Sequence, residues 1–217
     1  MVAEIANAIQ EIQQLTNAKA LDAYYRKGYA KMPADPESFV AACDELVSSG
    51  NWRAFWLVTL WIKRRQSAYE LAYFDVYQKW LLEHIRSWGA CDVFCYRVLN
   101  PMIEKFPQLF DAALTWAHSE KVYVRRASAV CLIQSTRASF RVNAEFNRVE
   151  TICDLLKDDP HIHIQKAVGW LLKYAYLTHP GEVEGYLRAN LSTLSRTTFR
   201  YALEKMPPAT RVDFMRL

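Results

Sequence analysis

Glycine and proline are scarce, six and eight among 217 residues, and only 23% of residues are charged. This excludes collagen-like, low-complexity and coiled-coil chains, while an apolar content of 52% is enough to bury a sizeable core. Asn-Gly and Asp-Gly hairpin dipeptides are missing, and so is the alternation that marks strands. Apolar runs such as Ala54 to Ile62 fall far short of the roughly 20 residues of a membrane span, and the opening Met-Val-Ala-Glu has no basic n-region. The expectation is a cytoplasmic chain without a membrane partner. The five cysteines (Cys43, Cys91, Cys95, Cys131 and Cys153) show neither CxxC nor zinc-finger spacing, and their apolar surroundings suit buried free thiols rather than a disulfide framework.

What is present is unevenly distributed charge. Residues 1–120 carry 12 Lys and Arg against 14 Asp and Glu, whereas residues 121–217 carry 15 against 9. The net charge of +4 therefore resides in the second half. Segregated cations either form a basic face for an anionic polymer or a solvated surface.

Helical periodicity dominates, so an all-α chain is expected. Boundaries are signalled at Asp35-Pro36-Glu37, Asn100-Pro101, Phe106-Pro107, Asp159-Pro160, His179-Pro180-Gly181 and Met206-Pro207-Pro208, with no long linker between them. A single domain over residues 1–217 is expected, with 1–35 as an amino-terminal helical segment. Arg125-Arg126-Ala127-Ser128-Ala129-Val130 and Gln165-Lys166-Ala167-Val168-Gly169-Trp170 share a polar pair, an alanine and an apolar run, and Trp52-Arg53-Ala54 and Phe199-Arg200-Tyr201-Ala202 begin similarly. The alanines at 54, 127, 167 and 202 lie 73, 40 and 35 residues apart, the first step hiding a further repeat near Trp88. Periods of about 35 to 40 residues indicate stacked helix pairs.

Three local patterns could carry chemistry. In Ser87-Trp88-Gly89-Ala90-Cys91-Asp92, Trp88 and Asp92 are four apart and share a helix face. Asp92 lies among apolar neighbours, either as a buried carboxylate ion-paired with an arginine of the next repeat or as a carboxylate open to a groove. In Lys121-Val122-Tyr123-Val124-Arg125-Arg126, the consecutive arginines point about 100° apart, so they have different surroundings. Lys166 and Trp170 repeat the i, i+4 spacing, with Trp170 either in the core or at a ligand, and Gly169 between them marks close approach by a helix or ligand.

The order of these segments, followed by Leu194-Ser195-Arg196 and Arg200, resembles the AlkD-like DNA alkylation repair family from about Glu37 to Arg211. The resemblance implies HEAT-like helical repeats stacked into a curved α-solenoid with a concave, basic DNA-binding face. It also implies a DNA glycosylase that hydrolyses the N-glycosidic bond of cationic alkylated purines of the N3-methyladenine and N7-methylguanine type. By position, Trp88 and Trp170 match the family's active-site tryptophans and Asp92 its catalytic carboxylate. Arg126 matches its active-site arginine, with Arg125 as the alternative, and Lys166, Arg196 and Arg200 would add phosphate contacts. The partner implied is duplex DNA containing alkylated bases; no cofactor or metal is implied, and a monomer is expected.

The chemistry suits these residue types. A purine alkylated at N3 or N7 is positively charged and leaves without a strong acid, so the protein has chiefly to stabilise a sugar cation. A fixed carboxylate does this and positions water, while tryptophan faces attract the cationic nucleoside. The rival reading is a catalytically silent protein of the same fold, binding branched or damaged DNA or a protein partner. Metal or thiol chemistry is disfavoured. Cys91 and Cys95 share a helix face and His161 and His163 lie two apart, but no four-ligand set is spaced for zinc.

Overall fold

Short polar side chains, Asn17, Asp35, Asn51, Ser87 and Ser195, cap the starts of five helices. The structure, a computed structural model that describes residues 2–216, is almost wholly helical. Its contacts group into two units, the first ending at Ile85 and the second beginning at Arg86. The first unit holds α1 (Val2–Gln13), α2 (Ala18–Lys31), α3 (Pro36–Ser48), α4 (Trp52–Arg64) and α5 (Phe74–His84). Asn17, Asp35 and Asn51 each accept a backbone N–H of the following turn, satisfying donors that a helix start leaves open. Helix α2 lies close to α4 at Gly28, where a Cβ would sit 2.8 Å from the Trp61 ring, and Trp61 donates its indole N–H to the Tyr25 carbonyl. Asp44 on α3 accepts from Lys79 and from the Trp80 indole on α5.

The second unit continues with α6 (Trp88–Phe94) and α7 (Asn100–Lys105), joined by a π-helical turn over Cys95–Leu99. Asn100-Pro101 therefore does not separate two helices as the sequence suggested. Pro101 has no N–H to give, and the wider turn, closed by the Asn100 N–H on the Cys95 carbonyl, accommodates it without ending the helix. Then come α8 (Phe110–Trp116), α9 (Val122–Val130), α10 (Phe146–Leu156), α11 (Ile162–Ala175), α12 (Pro180–Ala189), α13 (Arg196–Ala202) and α14 (Pro208–Arg216). Within this unit α6 packs on α9, α9 on α11 and α11 on α13.

Two features correct the sequence reading. Between α9 and α10 lies a small antiparallel hairpin, β1 (Ile133–Ser135) with β2 (Phe140–Val142). Its strands are too short for a visible alternation. The connection needs no Asn-Gly because the Thr136 hydroxyl closes it, accepting the Ser139 N–H while the Thr136 N–H donates to the Ser139 carbonyl. The repeat register also differs. Helices α4, α6, α9, α11 and α13 follow cap positions at Asn51, Ser87, Lys121, His161 and Ser195, 34 to 40 residues apart, and the repeat hidden near Trp88 is present. Ala127 and Ala167 are equivalent sixth helical residues, but Ala54 is a third and Ala202 a seventh. A small side chain is not demanded at one fixed place in every repeat. The tightest approach falls at Gly169, where a Cβ would lie 2.5 Å from the Tyr201 Cβ and 2.6 Å from the Thr198 carbonyl of α13. Of the two sources of close approach, helix or ligand, the structure has the helix.

Candidate active site

Counted from their caps, α6, α9, α11 and α13 carry Asp92, Arg126, Lys166 and Arg200 at the same fifth position. Because neighbouring helices pack in that order, one repeat position supplies a row of charged groups. The first three meet in a cleft of about 300 Å³ within the second unit, lined also by Trp88, His163, Trp170 and Tyr201. Trp88, the first residue of α6, is 55% exposed. Trp170 is half-buried, its ring edge-on to Phe140 of the hairpin at 5.2 Å, so it is partly core and partly cleft wall. Phe140 in turn meets Tyr96 and Tyr174, which makes the hairpin the support behind Trp170.

Asp92 is 7% exposed and Arg126 5%. The guanidinium grips the carboxylate at two points, Nε to Oδ1 at 2.7 Å and Nη2 to Oδ2 at 2.9 Å, and its Nη1 donates to the His163 carbonyl. Arg126 thus ties α6, α9 and α11 together at the cleft. Burial pushes the Asp92 carboxyl above the ordinary carboxylate range, against the opposing pull of Arg126. Two charge-assisted bonds from a guanidinium that does not deprotonate favour its ionised form. Burial works against the Arg126 charge as well, but Asp92 outweighs it and Arg126 titrates even higher than usual.

Arg125 points elsewhere. It pairs with Asp159 at 2.7 Å and donates to the carbonyls of Ser119 and Glu120. Both guanidinium groups of the pair therefore have protein partners, Arg126 on Asp92 and Arg125 on Asp159. Lys166 is half-buried in the cleft, whereas Arg196 and Arg200 are exposed on α13 and border a separate groove with Phe199, Phe214 and Met215. None of these three cations has a protein partner among the described residues.

The sequence weighed His163 only as a metal ligand and Tyr201 only as part of a repeat start, and both line the cleft. His163 is the second residue of α11, one turn before Lys166, and Tyr201 follows Arg200. The five cysteines are buried and free; Cys91 and Cys95 face the Tyr123 and Ala127 carbonyls and so pack α6 on α9 behind Asp92. Among the described residues no group of three His, Cys, Asp or Glu side chains could hold a metal, and no helix is long and apolar enough to cross a membrane.

Residues 16–206 match the protein family described as DNA alkylation repair enzyme. The chain belongs to this family. Similar solved structures include AlkD2 from Streptococcus mutans, 14% identical over 93% of this chain and 97% of that one, with a TM-score of 0.63. An Enterococcus faecalis protein described as a predicted DNA alkylation repair enzyme gives 13% identity, 95% and 94% coverage and a TM-score of 0.67. The alkylpurine DNA glycosylase AlkC of Pseudomonas fluorescens, solved bound to DNA containing an abasic site analog, is 16% identical over 98% of this chain and 65% of its own, with a TM-score of 0.57. No curated protein matches the chain. At these identities the structures share the helical-repeat fold.

Proposed function

We propose that this DNA alkylation repair family member is a DNA glycosylase that releases cationic alkylated purines, of the N3-methyladenine and N7-methylguanine type, from duplex DNA. The observation that carries the reading is Asp92, a buried carboxylate gripped by Arg126 at a cleft that Trp88 and Trp170 also line. As the glycosidic bond breaks, positive charge grows on the deoxyribose, and a fixed anion in a partly dry cleft opposes it. Each carboxylate oxygen keeps acceptor capacity beyond its bond to Arg126, enough to orient the attacking water. Trp88 and Trp170 offer electron-rich faces to the cation, each contributing about 0.5–2 kcal/mol.

Arg126 acts here as a positioning residue that fixes the carboxylate. The contacts to DNA phosphates fall to Lys166, Arg196 and Arg200, three cations without protein partners among the described residues. Single-turnover release of N7-methylguanine and N3-methyladenine from duplex DNA tests the reading. Release of both, with none from unmodified DNA, supports it, and no release from either lesion overturns it. A second reading, a silent DNA-binding protein, is favoured by one observation: both Asp92 oxygens are already held by Arg126. Under it the pair is only a bridge between helices, and DNA binds without base release.

A further inference from the structure

A glycosylase confined to cationic purines needs no acid at its cleft, yet an imidazole stands there. His163 lines the same cleft as Asp92. Its backbone is doubly fixed, the carbonyl by Arg126 and the N–H by Nδ1 of His161. Its ring is stacked on that of His161 at 5.4 Å and leans on Tyr123 at 5.9 Å. Both contacts are between rings, and among the described residues no protein group bonds to the His163 ring nitrogens. An oriented, half-buried imidazole with both nitrogens unengaged is suited to giving a proton to something else in the cleft.

We infer that His163 is a general acid that extends this site to uncharged leaving bases, lesions that keep no positive charge on the purine. The inference rests on the glycosylase reading above. A neutral purine leaves poorly as an anion, so it must gain a proton as the bond to C1′ breaks. Protonated His163 gives its ring proton to a nitrogen of the base, the bonding pair leaves with the base, and the base departs neutral. Water then adds to C1′ of the sugar cation opposed by Asp92, its proton passes to solvent, and His163 is reprotonated from solvent.

The surroundings set the acid strength. Arg126 and Tyr123 act on the ring from α9, Asp92 from α6, and His161 and Lys166 from its own helix and cap, while Tyr201 of α13 lines the same cleft. Asp159, the other nearby carboxylate, is occupied by Arg125 and the His161 N–H. Burial, Arg126, His161 and Lys166 lower the His163 pKa from the ordinary imidazole value, and Asp92 opposes them. Protonated His163 is then a stronger acid than free imidazole, and its population grows on mild acidification.

The test compares single-turnover release of 1,N6-ethenoadenine, an uncharged base, with release of N7-methylguanine by the full chain and by His163→Gln. For the full chain, the ratio of ethenoadenine to N7-methylguanine release should rise by up to about tenfold per pH unit of acidification through the range of about pH 8 to 6. His163→Gln, which keeps a hydrogen-bonding side chain but no acid, should flatten that rise and cut the ratio by about tenfold or more. Because N7-methylguanine is read in the same variant, a general loss of folding lowers both substrates and leaves the ratio alone. Release of N7-methylguanine without ethenoadenine at any pH, or a ratio untouched in His163→Gln, overturns the inference alone. Failure of both substrates with the full chain overturns the glycosylase reading and the inference with it.

Discussion

The two members of the Asp92–Arg126 pair have unequal consequences when removed. Arg126→Ala leaves a buried carboxylate without its partner and strips the His163 carbonyl of a donor, so it should cost about 3–5 kcal/mol of stability by denaturant melting. Arg126→Lys keeps the charge but loses the two-point grip, and base release should fall further than stability does. If Arg126→Ala left stability untouched and reduced only DNA affinity, the guanidinium would be a phosphate ligand after all. Asp92 also sets a pH dependence. Its carboxyl must be ionised to oppose the sugar cation, so the rate rises with pH through its pKa. Because burial raises that pKa, the acidic limb of kcat/KM for N7-methylguanine should lie above the ordinary carboxylate value near about 4. A limb at the ordinary value would place the reacting carboxylate in an open, solvated position, and one below it would mean that the Arg126 charge outweighs burial.

At the scale of elements, sequence and structure agree at most cap and proline signals, Asn100-Pro101 excepted, and diverge where packing decides. Asp35-Pro36, His179-Pro180 and Pro207-Pro208 open helices because a proline in the first turn gives up an N–H that has no intrahelical partner there. The i, i+4 pairs Trp88–Asp92 and Lys166–Trp170 were legible for the same local reason, and both do face one cleft. That Asp92 pairs with an arginine of the next repeat was one of its two readings, but the bond from Arg126 to the His163 carbonyl was not legible, since it spans 37 residues between helices. Local pattern likewise offered Asp92 two states, groove-lining or ion-paired, and the structure holds both at once. Nor could periodicity find the hairpin, whose part is to back Trp170 with Phe140. Gly169→Ala should force α11 and α13 apart, costing about 1–3 kcal/mol and several degrees in Tm, because the Cβ meets backbone rather than a flexible side-chain end. An unchanged Tm would mean that the two helices separate freely.

For the whole molecule, the net charge of +4 matters less than which cations lack partners. Arg125 and Arg126 are spent on Asp159 and Asp92, whereas Lys166, Arg196 and Arg200 are not. Replacing each of these three with alanine should weaken binding to duplex DNA regardless of sequence and reduce the slope of log Kd against log salt by about one. A slope unchanged in all three would show that DNA is held elsewhere. The family match, by contrast, spans residues 16–206 and was readable from the order of weak motifs because each motif sits at the start of a repeat helix.

The central claim is that Asp92 acts on the reacting sugar rather than only bridging helices. Asp92→Asn, which keeps the shape and removes the charge, isolates it when base release and DNA affinity are measured on the same N7-methylguanine duplex at low salt. The account predicts that release slows by about a hundredfold or more while Kd stays within about threefold, the pattern of an interaction made in the transition state. Release at the rate of the unaltered protein, or rate and affinity lost in equal measure, would contradict it.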